Sequence, residues 1–286
     1  MSTDDRALPK VGFVTVGLQK LRTAVWRGTG NGRPLLFFNG IGANLEIAQP
    51  LAEALCDRDL ITFDMPGVGG SPGASTPYRP WWAAHAAKMV LLHYGYDRPV
   101  DVMGVSWGGG LAQQFAFQYQ KCVNRLILCA TSPGALMVPG KIEALSKMAD
   151  PKRYIDRDYL ARNFKTLYGD DQENAAAFSA RMSAPSRAGY LYQLMAMVGW
   201  SSLPFLPLLP QETLVMAGDR DHIVPLANAR ILAFMIRNSE LHVVEDAGHL
   251  FILSKAKSVL PVLKTFLDRP QMSRKPARPL KAQPAE

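Results

Sequence analysis

VDVMGVSWGGG, at residues 100–110, is the stretch that decides the fold, and LAQQFA follows it at residues 111–116. The residues before the serine form a short apolar run typical of a β-strand, whereas the apolar residues after it recur at the spacing of one helical face. This change of period predicts a strand, a sharp turn and a helix. Ser106 lies at the turn, with Gly104 and Gly108 on either side of it.

Glycine two residues before and after a serine suits a nucleophile on a tight elbow, because larger side chains would clash there. The pattern Gly-x-Ser-x-Gly is short, and at ordinary residue frequencies a chain of this length contains it by chance about one time in ten. The pentapeptide alone therefore fits a glycine-rich turn equally well, and the rest of the chain has to decide.

The composition indicates a globular protein. The chain has 286 residues, 48% of them hydrophobic, which is enough for one large α/β domain with an insertion or for two small domains. Cys56, Cys122 and Cys129 have apolar neighbours and no paired spacing, so we expect buried free thiols in a reducing compartment. The polar start at residues 1–6 resembles no secretory signal, and no apolar run reaches about 18 residues. We therefore expect a cytoplasmic protein without integral membrane contact.

The net charge of +8 is concentrated at the C-terminus, where residues 269–286 hold five basic side chains and one acidic one. The Pro-rich composition of this segment predicts a disordered, solvated tail, and contact with an anionic surface is the alternative. No nucleic-acid-binding motif accompanies the charge, so we expect no nucleic-acid partner.

Short apolar strands alternate with helices along most of the chain. Strands are predicted at residues 11–18, 21–26, 34–38, 60–64, 100–105, 125–130, 213–217 and 241–244. Helices are predicted around residue 51, at 81–94, after the serine and at about 255–267. This alternation predicts an α/β fold with a mostly parallel eight-stranded sheet flanked by helices, and functional groups at the C-terminal ends of the strands.

The strand pattern is interrupted between the sixth and seventh strands, where methionine and aromatic residues are frequent. We interpret this segment as a helical cap inserted after the sixth strand. The expected domains are residues 1–133 and 211–268 for the two parts of the core, 134–210 for the cap and 269–286 for the tail.

A nucleophilic serine needs a base that accepts its proton, and the chain has five histidines. His85 and His93 fall within a predicted helix, and His242 lies inside the last strand. His222 directly follows Asp221 in the sequence and cannot easily be oriented by that carboxylate. His249 follows the last strand on a loop, and it is the favoured base.

The acid that orients this base is expected in the loop GDRDHIVP at residues 218–225. Asp219 is able to form the turn by bonding its own backbone, whereas Asp221 lies further out and can reach a histidine that follows the next strand. Asp221 is therefore favoured. The chain order Ser106, Asp221, His249 is that of α/β-hydrolases and differs from the orders in chymotrypsin and subtilisin.

The oxyanion hole is expected to combine the backbone N–H groups of Trp107, at the start of the elbow helix, and Ile41, after the third strand. Gly40 and Gly42 allow the backbone to approach a substrate there, and an ordinary glycine-rich turn is the alternative. The glycines match neither the dinucleotide-binding pattern nor the P-loop. We expect no organic cofactor and no metal.

Several stretches of the sequence resemble one known family. These are LFFNGIGAN at residues 36–44, FDMPGVGGS at 63–71, GVSWGG at 104–109, AQQF at 112–115 and MVPGK at 137–141. They are similar to the intracellular medium-chain-length polyhydroxyalkanoate depolymerases of pseudomonad type, and the similarity spans about residues 21–267. The resemblance implies an α/β-hydrolase fold and a serine esterase that hydrolyses poly(3-hydroxyalkanoate) through an acyl-enzyme.

In that family the elbow serine, the loop aspartate and the late histidine form the catalytic triad. The matching positions are Ser106, Asp221 and His249, in agreement with the choice made from the residues themselves. The products implied are 3-hydroxyalkanoate monomers or oligomers, and the implied partner is a polyester granule or another hydrophobic acyl ester. The implied location is the cytoplasm, at the surface of such granules.

The resemblance also implies that the cap covers the site and contacts polymer side chains. We expect the substrate-binding residues Asn39, Gly40, Met137, Tyr190 and Trp200. Methionine adapts its shape to a flexible apolar substrate, although such residues also form the core of a cap. Asn39 stands where other α/β-hydrolases commonly have histidine, which agrees with the depolymerase pattern.

Two alternatives remain at this point. One is a small-molecule carboxylesterase, thioesterase or lactonase with the same fold and triad. The other is a non-catalytic protein that docks on storage granules through its cap and basic tail.

Overall fold

The computed structural model describes residues 8–150, 152, 156–168 and 180–270. In these ranges the chain forms one eight-stranded sheet, and a strand is found at each of the eight predicted places. The strands are β1 (Lys10–Val16), β2 (Gln19–Trp26), β3 (Leu35–Phe38), β4 (Leu60–Phe63), β5 (Val100–Val105), β6 (Val123–Cys129), β7 (Glu212–Gly218) and β8 (Ser239–Val244).

The order of the strands across the sheet is β1-β2-β4-β3-β5-β6-β7-β8. β2 pairs antiparallel with both of its neighbours, β1 and β4, and every other pair is parallel. The predicted fold class is therefore confirmed. Because the parallel strands point the same way, the loops that follow β3, β5, β7 and β8 gather at one edge of the sheet, where binding sites of such folds form.

Helices cover both faces of the sheet. They are α1 (Gln49–Ala54), α2 (Pro80–His93), α3 (Trp107–Gln118), α4 (Ile142–Ala149), α5 (Arg157–Tyr168), α6 (Arg187–Met197), α7 (Leu226–Met235), α8 (Phe251–Ser254) and α9 (Ala256–Leu267). The apolar core on one face includes side chains of α2, α3 and α7, and the core on the other face includes side chains of α1 and α9. This two-sided burial explains why the central strands are almost entirely apolar.

Helix α7 was not predicted. It begins directly after Pro225, and no side chain caps its N-terminus, so the usual sequence signal for a helix start is missing. Its buried residues Asn228, Ala229 and Leu232 are too few to establish a helical period by themselves. The helix is defined by its packing on the sheet.

All three cysteines are free, but one of them differs from the prediction. Cys129 is buried and Cys122 is partly buried, whereas Cys56 is exposed, so the expectation of a buried thiol is wrong there. Cys56 lies in the turn after α1, and its carbonyl accepts a hydrogen bond from the Thr29 N–H at 2.8 Å. The backbone of Cys56 is therefore bonded to the neighbouring segment, while its side chain is exposed to solvent.

We call residues 134–210, between β6 and β7, the cap. Its described part contains α4, α5 and α6 and the short 3-10 helix Leu206–Leu208. The two ends of the cap meet in an isolated β-bridge between Gly134 and Ser201. The predicted tail, 269–286, lies outside the described residues apart from its first two.

None of the helices in the described ranges has both the length and the apolar character needed to cross a bilayer.

Candidate active site

Ser106 lies between β5 and α3 with φ of 55° and ψ of −122°. A positive φ is strained for any residue that has a Cβ, so neighbouring bonds must hold it in place. The Ser106 N–H donates to the Cys129 carbonyl at 2.9 Å, and the Thr131 hydroxyl donates to the Ser106 carbonyl at 2.7 Å. The end of β6 thus holds both sides of the strained peptide.

The flanking glycines are required by close backbone contacts. A Cβ on Gly104 would lie 2.3 Å from the carbonyl oxygen of Gly108. A Cβ on Gly108 would lie 2.3 Å from the carbonyl oxygens of both Phe38 and Asn39. The elbow therefore packs directly against the end of β3, which explains the glycines in the sequence pattern.

His249 and Asp221 form a buried pair. The Nδ1 atom of His249 lies 2.7 Å from Oδ2 of Asp221, and His249 is 3% exposed. The other carboxylate oxygen of Asp221 accepts the N–H groups of Ile223 at 2.9 Å and Val224 at 2.8 Å. Because a carboxylate only accepts, Nδ1 of the histidine carries the proton, and Nε2 is left with a free lone pair.

Asp219, the alternative acid, has a different partner. Its Oδ1 accepts the backbone N–H of Ala247 at 3.2 Å. It thereby joins the loop after β7 to the loop that carries His249.

The backbone N–H of His249 donates to the Tyr168 carbonyl at 2.5 Å, and the two rings are stacked with centroids 6.4 Å apart. The histidine loop is held by the core on one side and by α5 of the cap on the other.

The loop after β3 lies against the elbow. A Cβ on Gly40 would be 3.8 Å from the Cβ of Ser106. The Ala43 N–H donates to the Gly40 carbonyl at 3.2 Å, and Gly42 has φ of 67°, as in a type II turn. The C=O and N–H of one peptide point in opposite directions, so this bond also sets the direction of the Ile41 N–H.

Trp107 is the residue expected to contribute the second N–H of the oxyanion hole. It is the first residue of α3, and the first N–H groups of a helix have no partner within the helix. Trp107 directly follows Ser106, so its N–H lies at the N-terminus of α3, beside the nucleophile. The helix dipole is positive at this end. The geometry brings Ser106, His249, Gly40 and Ile41 to one pocket.

Asn39 and Asn44 join this loop to its surroundings. The side-chain N–H of Asn39 donates to the Asn44 carbonyl at 3.0 Å, which closes the loop on itself. The buried side chain of Asn44 donates to the Arg181 carbonyl at 2.9 Å and accepts the Ser183 N–H at 2.9 Å. Both of the latter residues belong to the cap, so the loop is shared between core and cap.

Asp64 lies just after β4, in the stretch FDMPGVGGS. Its buried carboxylate accepts the N–H groups of Leu45 at 2.7 Å and Gly70 at 2.9 Å, and Arg22 approaches it at 3.3 Å. Burial raises the pKa of Asp64 to about 6, although these hydrogen bonds act in the opposite direction. This carboxyl group supports the far end of the loop that begins at Asn39.

The raised pKa of Asp64 predicts a pH-dependent stability. In the unfolded chain the carboxyl group has a pKa near 3.8, so between about pH 4 and 6 the folded state binds more protons. The contribution of Asp64 to the free energy of unfolding is therefore expected to fall by about 3 kcal/mol as the pH rises through this window. Urea denaturation of the unmodified protein and of Asp64→Asn from pH 4 to 7 measures this difference. A difference that is constant with pH, or that grows as the pH rises, contradicts the prediction.

The pocket at Ser106 has a volume of about 750 Å³, its open mouth included. Its polar groups are Ser106, His249, Asn39 and the Gly40–Ile41 backbone. The rest of the wall is apolar or aromatic and is formed by Phe37, Ala43, Ile47, Leu51, Val105, Met148, Tyr168, Leu250, Ile252 and Leu253. Such a site suits an apolar chain attached to a polar reacting group.

Three of the expected substrate-binding residues lie elsewhere. Met137, Tyr190 and Trp200 are not among the residues that line this pocket. The Tyr190 hydroxyl donates to the Met148 carbonyl at 3.1 Å, and the Trp200 indole donates to the Gln114 side chain at 2.8 Å. Met137 packs in an apolar cluster that cap residues share with Ile223 and Val224 of the loop after β7. Asn39 and Gly40 do line it.

The wall residues that were missed come mainly from the core. Ile47 and Leu51 lie after β3, and Ile252 and Leu253 lie in α8, directly after His249. The available signal was their position, a few residues downstream of the oxyanion loop and of the catalytic histidine candidate.

Comparisons with known proteins agree with this geometry. The alpha/beta hydrolase fold family matches residues 33–256. A Poly(3-hydroxyalkanoate) depolymerase from Ectopseudomonas oleovorans is 46% identical over 266 residues, which cover 90% of this chain and 93% of that protein.

Two solved structures, each 20% identical to the chain, share its fold. A hydrolase from Pseudomonas aeruginosa PA01 has a TM-score of 0.75, and the match covers 91% of this chain and 99% of that one. The enol-lactonase from Burkholderia xenovorans LB400 has a TM-score of 0.73, with 90% and 100% covered. The predicted resemblance is confirmed: the chain belongs to the α/β-hydrolase family, in the group that includes the Poly(3-hydroxyalkanoate) depolymerase of Ectopseudomonas oleovorans.

Proposed function

We propose that this hydrolase is a serine esterase that cleaves the ester bonds of poly(3-hydroxyalkanoate) with medium-length side chains. The observation that carries the proposal is that Ser106 and the buried His249–Asp221 pair meet at one apolar pocket. The 46% identity with a protein named as a depolymerase of this polymer supports the substrate class. The products are 3-hydroxyalkanoate monomers or oligomers.

The first half of the reaction forms an acyl-enzyme. Nε2 of His249 accepts the proton of Ser106 while Oγ attacks the ester carbonyl, and Asp221 stabilises the resulting imidazolium through Nδ1–H. The N–H groups of Trp107 and Ile41 bind the negative oxygen of the tetrahedral intermediate. His249 then gives the proton to the leaving alcohol, which is the hydroxyl end of the neighbouring polymer unit.

The second half releases the product. A water molecule gives a proton to His249 and attacks the ester carbon of the acyl-enzyme, and the same two N–H groups bind the oxyanion again. Collapse of this intermediate returns the proton to Ser106 and frees a 3-hydroxyacid. One ester and one water are thus converted to one acid and one alcohol, without any other reactant.

The apolar wall is the basis for the proposed side-chain length. Ile47, Leu51, Ile252 and Leu253 belong to the apolar part of the pocket wall. Burying one methylene group yields about 0.8 kcal/mol, or roughly a fourfold gain in binding, until the chain fills the space. We propose that the alkyl side chain of the 3-hydroxyacyl unit occupies this part of the pocket.

We also propose that the protein acts in the cytoplasm at the surface of polyester granules. The outer face of α6 and its C-terminal end support this partner, because their exposed apolar side chains follow helical spacing. These side chains are Leu191, Leu194, Met195 and Val198. An exposed apolar face on the cap is suited to contact a water-insoluble polymer.

A clearing assay on latex of medium-side-chain polyester, run beside hydrolysis of soluble p-nitrophenyl acyl esters, tests the proposal. We expect clearing by the unmodified protein and none by Ser106→Ala. Strong hydrolysis of soluble esters without clearing supports a small-molecule esterase, thioesterase or lactonase instead. Granule binding that is retained in Ser106→Ala, with no hydrolysis by the unmodified protein, supports a non-catalytic granule protein.

Substitution of Ile252 is expected to change the preferred chain length. Phenylalanine at this wall position shortens the pocket, so hydrolysis of p-nitrophenyl octanoate relative to the butanoate is expected to fall by about tenfold. The comparison of kcat/KM for the two esters measures this ratio. Leu208→Phe is the matched control, because Leu208 is exposed and lies outside the pocket. An unchanged ratio in Ile252→Phe would show that the acyl chain binds elsewhere.

A further inference from the structure

We infer that Gln193, on cap helix α6, is a positioning residue for the oxyanion hole; this inference rests on the proposed function. Gln193 is 1% exposed although it is polar. Its side-chain Oε1 accepts the Gly42 N–H at 2.8 Å, and its backbone carbonyl accepts the indole N–H of Trp107 at 2.9 Å. One cap residue therefore holds both parts of the proposed hole, the loop that contains Ile41 and the first residue of the elbow helix.

The bond to Gly42 acts on the central peptide of the turn between Gly40 and Ala43. The Gly40–Ala43 hydrogen bond closes this turn and sets the direction of the Ile41 N–H within it. The bond from Gly42 to Gln193 fixes where the turn lies relative to the elbow helix, because the carbonyl of the same residue holds the Trp107 indole. Gln193 thereby sets the position of the Ile41 N–H relative to Trp107.

The helix that carries Gln193 is itself fixed to the core at both ends. At its start, the Ser186 N–H donates to the Gly67 carbonyl at 2.7 Å. At its end, the guanidinium group of Arg79 donates to the carbonyls of Met195 at 3.2 Å and Val198 at 2.9 Å. A cationic group at a helix C-terminus also stabilises the helix dipole. The acceptor for Gly42 is thus held by a helix that has a defined position.

Gln193 does not line the pocket, so its effect on substrate binding is expected to be small. The oxyanion exists only in the transition state and in the tetrahedral intermediates, and loss of one donor to it lowers kcat by about 10²–10³. A donor that is displaced rather than removed has a smaller effect. We therefore expect a 10- to 100-fold loss of kcat without Gln193 Oε1, with little change in KM.

The test compares Gln193→Met, which removes the acceptor, with Gln193→Glu, which retains one. Kinetics on p-nitrophenyl octanoate are expected to show the loss of kcat in the methionine variant, a KM within about twofold, and recovery of most of the loss in the glutamate variant. Gln211→Met is the matched control, since Gln211 is a buried glutamine whose amide donates to the Ala116 and Gln120 carbonyls. This control is expected to retain full activity.

Hydrogen exchange separates this inference from the proposed function. Amide exchange of the peptide that contains Gly42 is expected to be faster in Gln193→Met and unchanged in Gln211→Met. If the unmodified protein hydrolyses esters and Gln193→Met has the same kcat, or if Gln211→Met loses as much, the inference is overturned and the proposed function stands. If the unmodified protein hydrolyses no ester, the proposed function fails, and unchanged exchange at Gly42 would then overturn the inference as well.

Discussion

Ser106→Ala is expected to lower kcat by about 10⁶, because the acyl-enzyme cannot form without the Oγ atom. His249→Ala is expected to cause a loss of similar size, since the unassisted hydroxyl is a weak nucleophile. The double variant should lose no more than either single variant, because the two side chains act as a unit. Initial rates on a soluble p-nitrophenyl ester measure all three variants.

Ser258→Ala is the matched control for Ser106→Ala, because the Ser258 hydroxyl donates to the Lys255 carbonyl on the exposed surface. Its rate should equal that of the unmodified protein. The melting temperatures of all variants should confirm that the elbow is intact. A Ser106→Ala protein that retains a hundredth of the original rate, or a double variant that falls far below both single variants, would contradict the assignment of the nucleophile and base.

Asp221→Asn is expected to lower kcat by about 10⁴. Oδ1 of Asp221 accepts two backbone N–H groups, from Ile223 and Val224, so an asparagine keeps its carbonyl oxygen there. Its NH₂ group then faces Nδ1 of His249 and donates to it, which forces the histidine proton onto Nε2. A histidine protonated at Nε2 cannot accept the proton of Ser106.

Asp219→Asn is the paired control for this change. Its partner is the Ala247 N–H, which an asparagine carbonyl also accepts, so a loss of less than tenfold in kcat is expected. The same ester assay compares the two variants at matched protein concentration. If Asp219→Asn were the more damaging change, the choice of the acid would be wrong.

The elements with a clear period could be predicted from the sequence. The strands of the parallel part of the sheet are buried on both faces, so their apolar runs are unambiguous, and the loops after them are where functional groups collect. Ser106, Asp221 and His249 were predicted as the triad because each follows such a strand, and the structure places Ser106 and His249 at one pocket, with Asp221 bonded to His249. Helix α7 was missed because it lacks a cap and a long apolar period.

The pocket wall was not predicted, because its members share no motif and only their positions after the oxyanion loop and His249 distinguish them from other apolar residues. Ile47 and Ile252 are about 200 residues apart, and only the sheet order brings their segments together. Trp200 was expected to bind substrate because it is an aromatic residue in the cap, but it lies outside the pocket lining and its indole donates to Gln114. The role inferred for Gln193 could not be predicted from the sequence, because a single glutamine within a helix belongs to no recognisable motif.

The hydrogen bonds of Asn44 with the cap have a consequence for protein engineering. Asn44 pairs with the backbone of Arg181 and Ser183, so its partners depend on the path of the cap chain and not on a side chain that a designer would notice. A chimera that takes a foreign cap onto this core would remove both of these partners from the buried Asn44 side chain, which would keep only its bond to Glu46, at a cost of about 1–3 kcal/mol. Recombination between relatives should therefore move residues 39–44 together with 181–193, as one inherited unit split across the chain.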